Sequence, residues 1–564
     1  MFIRLLLLLI SCSVFAQEEF PKNYFKSPLD IQLHLSGSFG ELRNNHFHSG
    51  LDFKTSQKEG LNVYASADGY VSRIKISTYG YGKVIYITHP NGYTTVYGHL
   101  QKATGKIQEY IINAHYKEKS FEMELFLRPD ELIVKQGDLI AMSGNSGGSG
   151  GPHLHFEIRN TLTEKTINPL FFGFDALIKD TKTPVVNTLM AYPIGENSVV
   201  NRSQEPLTIN FTKQPDGTYL ADKVLVNGAV GFGINAYDMF DFNYNKNGTY
   251  QVQSFLNGAS SFNCQFNVFA FDESRYINAF LDYPRYKKTG VRIQQLFMEN
   301  PYSLSIIQAD NSNGIVHVKP NINNTYRIEV KDFHNNKVII NIPIQYSSIA
   351  SEIPSKIQKT PYYLIAKNDN MYKKDNISVF VEEGTFYDDF YLNFDVKEDT
   401  LTFHDASVAV HKNFKVSIEN NTLTEEQIQK TFIASVDGKR KSYNNTKFKS
   451  GTFTTYTKNT GKFFLAQDTI APRIKPINLA EGKWTNSQKS IDFIISDDFS
   501  GIKTYNGYIN GNWILFDYDY KKQLITYEFD EQFIQSGRNE FKLEVTDNVG
   551  NSTIFETHFF RSIK

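Results

Sequence analysis

Cysteine is nearly absent from this chain: Cys12 and Cys264 are the only two among 564 residues. Without a disulfide framework, a chain of this length relies on its hydrophobic cores. Cys264 falls in Phe262-Asn263-Cys264-Gln265-Phe266, where strand alternation puts it on an apolar face, so it reads as a buried structural thiol rather than a nucleophile. Net charge is also missing, at −1, which removes the electrostatic case for nucleic acid or an acidic membrane surface as partner. Proline is sparse at 18, whereas the 45 Phe and 33 Tyr, with many Val, Ile and Thr, favour strands over helices. Hydrophobic residues at 40% are enough for packed cores and exclude wholesale disorder. No apolar run is long enough to span a bilayer.

The N-terminus has the form of an export signal. Met1 to Arg4 give a short basic start, Leu5 to Ile10 an apolar run, and Val14-Phe15-Ala16 a small-residue cleavage pattern. Residues 1–16 are therefore expected to be a signal peptide, and the protein to act in the periplasm or cell envelope. Leu9-Ile10-Ser11-Cys12 has the look of a lipobox, a rival reading in which Cys12 is lipidated.

The length suggests roughly three to five domains. Residues 25–178 combine glycine turns, short strand-like runs and most of the histidines, which makes this segment the expected catalytic domain. Further on, Asp180-Thr181-Lys182-Thr183-Pro184 recurs as Asp468-Thr469-Ile470-Ala471-Pro472, and the Glu329–Asn336 segment recurs at Glu544–Asn551. The repetition predicts two Ig-like β-sandwiches, at 180–347 (with an insertion) and 468–564. Between them, 350–465 reads as a β-rich domain of unassigned fold. The fold class is thus mainly β throughout.

Three stretches carry the chemistry: Phe39 to Asp52, Thr95 to Leu100, and Gly150 to Ile158. In the last, His153-Leu154-His155 heads an alternating run, so both imidazoles point to one face of a strand. Both can bind a metal, or one can bind while the other reaches the attacking water. His48 and Asp52 add a nitrogen and an oxygen donor on a tight loop through Gly50. Two histidines and a carboxylate, with one position left open, are the ligand set of a catalytic zinc site.

His48-x-x-x-Asp52, Tyr97-x-His99-Leu100 and Gly151-Pro152-His153-Leu154-His155-Phe156-Glu157 together resemble lysostaphin/LytM-type zinc endopeptidases. The stretches Gly60–Ala65, Asp68–Val71, Gly80-Tyr81-Gly82 and Val134–Asp138 match that family in order, and the resemblance covers roughly residues 35–172. It implies an antiparallel β domain with Zn2+ in an open groove. By position, His48, Asp52 and His155 become the metal ligands, and His99 and His153 the unligated catalytic pair. The implied reaction is hydrolysis of peptidoglycan cross-links or stem peptides by a metal-activated water, with the imidazoles moving protons.

Weaker signals are read conservatively. His46 shares a face with His48, but the step to Asp52 and the family register favour His48. His89 and His115 read as turn or surface residues, and His34 has no evident partner. Glu157 either orients a ligand or makes a strand salt bridge. Gly144-Asn145-Ser146-Gly147-Gly148 fits the Gly-x-Ser-x-Gly pattern only through glycine richness; no helix follows, so a flexible groove wall is expected instead of a serine nucleophile. Gln101 to Ile133 is longer than the family's connector and reads as a tolerated surface insertion. Aspartates near Ser500 and Asn548 read as solvated turns rather than a calcium site. The rival to an enzyme is a non-catalytic envelope scaffold or activator of another wall hydrolase, and the C-terminal β modules are candidates for binding an envelope partner.

Overall fold

The computed structural model of the chain describes residues 20–562, apart from 243, 439 and 531. The expected signal segment, including Cys12, lies outside these residues. No helix among the described residues is long and apolar enough to cross a membrane.

The N-terminal region is built on twelve short strands: β1 (Leu35–Gly37), β2 (Leu51–Lys54), β3 (Asn62–Tyr64), β4 (Gly69–Ile76), β5 (Lys83–Thr88), β6 (Tyr93–Gly98), β7 (Leu100–Ala103), β8 (Met123–Phe126), β9 (Ile133–Val134), β10 (Leu139–Ser143), β11 (His153–Asn160) and β12 (Thr166–Ile167). The main sheet runs β1-β2-β11-β6-β5-β4-β8, and β3-β10-β7 form a small second sheet. All pairings within the two sheets are antiparallel.

Strand β11 explains why the sheet can carry a site. Leu154, Phe156 and Ile158 point to the core and are fully buried. Phe156 packs against Phe53, Tyr97 and Phe174 at ring-centroid distances of 5.9, 5.5 and 5.2 Å. Each such side chain contributes about 1.5–3 kcal/mol by leaving water. The alternate positions, His153, His155, Glu157 and Arg159, form a polar column on the opposite face. Because β11 lies between β2 and β6, that column is flanked by both neighbours.

The insertion between Leu100 and Val134 is not a bland surface loop. It holds helix α1 (Gly105–Glu118), whose Ile107, Ile111 and His115 are buried. Tyr116 on the same helix meets Trp513 and Phe533 edge-on, at 5.7 and 5.6 Å, and donates a hydrogen bond to Asp530. The insertion therefore joins the N-terminal region to the C-terminal one.

One hydrophobic core runs from Phe25 to Ile344, so the histidine-rich region and the β structure after it are packed as one mass. Phe47 sits among Phe266, Phe269 and Phe280, and β12 pairs with the strand Val268–Phe269. Residues 364–463 have a separate core. A third core, from Leu479 to Phe559, lies between a four-stranded and a five-stranded sheet. Cys264 is fully buried on a strand, as its alternation predicts.

Candidate metal centre

Register assembles the centre. His155 on β11 stands opposite Asp52 on β2 and opposite Gly98 at the end of β6. Two glycines allow the close approach. A Cβ on Gly50 would lie 2.3 Å from the Phe156 carbonyl, and one on Gly37 would lie 2.7 Å from Asp52 Oδ2. His99 follows Gly98 with a left-handed φ of 58°, uncommon for a residue with a Cβ, and this turn swings its ring toward β11.

Three atoms converge: His48 Nε2, Asp52 Oδ1 and His155 Nδ1 are 2.9–3.0 Å from one another. Each imidazole is held by its other nitrogen. His48 Nδ1 lies 2.7 Å from the Ser38 carbonyl, and His155 Nε2 lies 2.8 Å from Glu157 Oε1. Those acceptors require N–H donors, so the nitrogens facing Asp52 carry lone pairs. Two lone pairs and a carboxylate oxygen aimed at one point repel each other unless a proton or cation sits between them. All three residues are buried, and their donor set suits zinc.

Supporting groups complete the arrangement. Arg43 Nη2 donates to Asp52 Oδ2 at 2.6 Å. Glu157 accepts from Ser49 and Arg159, both at 2.6 Å, and from the Tyr81 hydroxyl. Glu157 thus both orients His155 and pairs with Arg159. Arg43 and Tyr81 lie inside the quoted motifs, but only the fold shows their partners. Burial holds the His48 imidazole down at about 4. Burial, with the nearby His155 and His153, takes His99 to about 3. His155 moves the other way: against its burial, the Asp52 and Glu157 carboxylates lift it to about 9, so without a cation a proton fills the place between its Nδ1 and Asp52. Asp52 stays well below the carboxylate range, since the three imidazoles around it outweigh its burial.

His99 and His153 flank the centre with ring centroids 4.8 Å apart. His99 Nδ1 is bound by the Ser146 carbonyl at 2.9 Å and His153 Nδ1 by the Gly151 carbonyl at 2.8 Å. Their Nε2 atoms remain for other chemistry; that of His153 is buried, accepts no hydrogen bond, and lies 3.4 Å from Asp52 Oδ1. The glycine-rich loop 144–151 is fastened rather than loose. Ser146 Oγ donates to the Leu100 carbonyl and accepts from Lys83 N, and Gly148 N donates to the Gly80 carbonyl. Lys521, from the C-terminal region, donates to the carbonyls of Asn145 and Ser149 in the same loop.

The other histidines are apart from the centre. His46 is exposed and bound to the Asn44 carbonyl. His89 and His115 are not surface residues: His89 is buried between the Asp68 carbonyl and Thr95 Oγ1, and His115 is bound to the Ser120 carbonyl and stacked on Phe121. His89 does stand at the turn between β5 and β6, but its burial, like that of His115, comes from the packing of the folded chain around it.

Residues 46–114 match the model of Peptidase family M23, and residues 361–468 that of a Zu5-like domain. An uncharacterized metalloprotease of Haemophilus influenzae is 32% identical over 159 residues, which is 27% of this chain and 28% of that protein. A DD-carboxypeptidase/endopeptidase Mpg of Neisseria meningitidis is 32% identical over 123 residues, 22% of each. The peptidoglycan DD-endopeptidase ShyC of Vibrio cholerae is 30% identical over 142 residues, 24% of this chain and 27% of that protein. The chain thus spans less than a third of the length of these relatives. Among solved structures, the catalytic domain of lysostaphin from Staphylococcus simulans aligns at 26% identity with a TM-score of 0.18, over 25% of this chain and 88% of that one.

Proposed function

We propose that this chain, whose N-terminal region carries a Peptidase family M23 domain, is a zinc-dependent endopeptidase of the cell envelope that cleaves peptide cross-links or stem peptides of peptidoglycan. One observation carries the reading: His48 Nε2, Asp52 Oδ1 and His155 Nδ1 converge within 3.0 Å, each imidazole oriented by an acceptor behind it. The substrate class rests on relatives named for peptidoglycan and DD-peptide hydrolysis.

Zinc, when bound, supplies Lewis-acid polarisation of the scissile carbonyl and of the attacking water. The chain's own residues do the rest. Glu157 and the Ser38 carbonyl fix the tautomers of the ligands, and Arg43 holds Asp52. His153 Nε2 and His99 Nε2 are the proton carriers: one accepts the proton of the attacking water and the other serves the leaving amine or the developing oxyanion. Depressed basicity keeps His99 neutral, the form that accepts a proton. The scaffold reading is not favoured, since all five positions of the expected site retain competent side chains.

The remaining assignments belong to the same proposal. Residues 1–16 direct export to the periplasm or envelope, with Cys12 as the alternative lipid anchor. The peptidase domain spans 25–178, Ig-like modules 180–347 and 468–564, and a β-rich module 350–465. The test is digestion of purified peptidoglycan by the mature protein with and without a chelator, followed by product mass analysis. Chelator-sensitive release of defined peptides is expected; unaltered peptidoglycan with the zinc-loaded protein would sink the proposal.

A further inference from the structure

The sequence recurrence builds the same carboxylate frame twice. In the region after residue 180, the strand Val185–Val200 pairs antiparallel with Val224–Tyr237, Val185 opposite Tyr237. In the C-terminal region Arg473–Pro476 pairs with Ser490–Ser496, Arg473 opposite Ser496. Asp180 and Asp468 each precede the first strand by the same interval, and Asp238 and Asp497 each follow the second directly. Asp332 and Asp547 end the third element, after Asn324–Lys331 and within Gly537–Asp547.

The two frames differ in what satisfies them. In the C-terminal frame, backbone N–H groups close every carboxylate. Asp468 accepts from Ile470 N and Ser500 N, Asp497 from Phe499 N and Gly501 N, and Asp547 from Val549 N and Asn551 N. Ser500 and Gly501 belong to the tight turn that follows Asp497. In the earlier frame, Asp180 accepts from Lys182 N and Asp332 from Asn336, but the chain after Asp238 leaves on a longer excursion. Among the described residues, no backbone N–H bonds Asp180 Oδ2 or Asp238 Oδ1. Asp180 Oδ2, Asp238 Oδ1 and His334 Nδ1 are all buried without a hydrogen-bond partner.

These atoms face one another. His334 Nδ1 is 3.7 Å from Asp180 Oδ2, and the Asp180 side chain is 0% exposed. One donor atom each from Asp180, Asp332 and His334 lies within 4.8 Å of the other two. Asp238, 1% exposed, borders these three and interacts with the Asp180 and Asp332 carboxyls. His334 occupies the position that Val549 holds in the C-terminal frame, so the one frame short of N–H donors has gained a ligand-type side chain. Burial and neighbouring carboxylates push Asp238 up to about 8, and burial pushes Asp332 up to about 6. Buried carboxylates at this density require protons or a cation.

We propose that Asp180, Asp238, Asp332 and His334 form a second metal site, for a divalent cation, separate from the His48–Asp52–His155 centre. Carboxylate oxygens with one imidazole suit Zn2+ or Mn2+ better than Ca2+, which prefers oxygen alone. The cation ties the segment leaving the peptidase region to the Asp332–Asn336 turn, where Phe333 packs on Phe171 and Tyr250, both at 5.1 Å. Its role is to fix one region against the next.

The experiment uses the full chain with His48→Ala and Asp52→Ala, stripped by chelator and then given Zn2+, Mn2+ or Ca2+ separately. Metal content after gel filtration and thermal unfolding are read. Expected are about one retained cation per chain and a Tm rise of roughly 5 °C or more at saturation. Asp238→Asn and His334→Gln should each weaken that binding at least ten-fold, and Asp497→Asn should not; either junction variant suffices if the other fails to fold. Two results overturn the site: no retained cation and no Tm shift with any of the three metals, as for a lone imidazolium counter-charge, or a shift that survives in the junction variants.

Discussion

The peptidase centre and the junction cluster both gather buried carboxylate and imidazole donors, yet they are built for different ends. In the centre, each ligand imidazole is held from behind, by the Ser38 carbonyl or by Glu157, and two further histidines stand beside it with Nε2 available. At the junction, carboxylates dominate and one imidazole joins them. In the C-terminal frame the corresponding Asp468, Asp497 and Asp547 also converge within 4.8 Å, but each accepts from backbone N–H groups, which makes it the internal comparison. The difference teaches that a polar motif acquires chemistry from what anchors its far side.

The largest expected effect separates the first two regions. His48→Ala should remove zinc and lower hydrolysis by roughly 10³-fold or more, since Lewis-acid stabilisation is worth several kcal/mol. His153→Ala should keep zinc while losing about 10²–10⁴-fold in turnover, as expected for a proton carrier. Metal analysis beside kcat measurement checks both; equal zinc loss in the two variants breaks the division of roles. Glu157→Gln tests the anchoring directly and should cost about 10–100-fold in zinc affinity or activity.

A smaller contrast sets the two aspartate frames against each other. Asp497→Ala should destabilise the C-terminal region by roughly 1.5–3 kcal/mol, because it strands N–H groups that now meet a charge. Asp238→Asn should instead raise the Tm of metal-free protein above about pH 8, where it removes the Asp238 charge from beside Asp180 and Asp332. The pH dependence follows the same logic. Asp238, Asp332 and His334 all hold protons more tightly in the folded state than usual, facing one another and Asp180. The folded junction therefore binds more protons than the same residues unfolded, and its contribution to metal-free stability should fall as pH rises from about 4 to about 8, against the opposite contribution of the depressed His48 and His99 imidazoles. The difference between the melting curves of the parent and of Asp238→Asn across that window checks the sign, and a bound cation should flatten it. The least change is expected from Lys521→Ala, a few-fold loss in kcat/KM through the loop that carries the Ser146 and Gly151 carbonyls.

Much of the centre was legible locally. Alternation alone put His153, His155 and Glu157 on one strand face, and the resemblance sorted ligands from proton carriers. What stayed hidden depends on contacts distant in sequence. Ser146 looked like part of a loose wall, yet its carbonyl seats His99 and its hydroxyl ties the loop to β7. His89 and His115 looked superficial for another reason: Thr95 and Ser120 are near in sequence, but only the folded chain buries the rings against them. The insertion looked neutral because Tyr116 meets its partners only across a domain boundary.

The sequence by itself determined the β class, the donor types and the recurrent motifs at Asp180/Asp468 and Asp332/Asp547, since these follow from residue chemistry and short-range patterns. The tertiary structure decided which nitrogen of each imidazole faces the metal, which carboxylates go unsatisfied, and where the C-terminal region touches the groove. Those outcomes depend on strand register and loop length, which set distances between residues hundreds of positions apart.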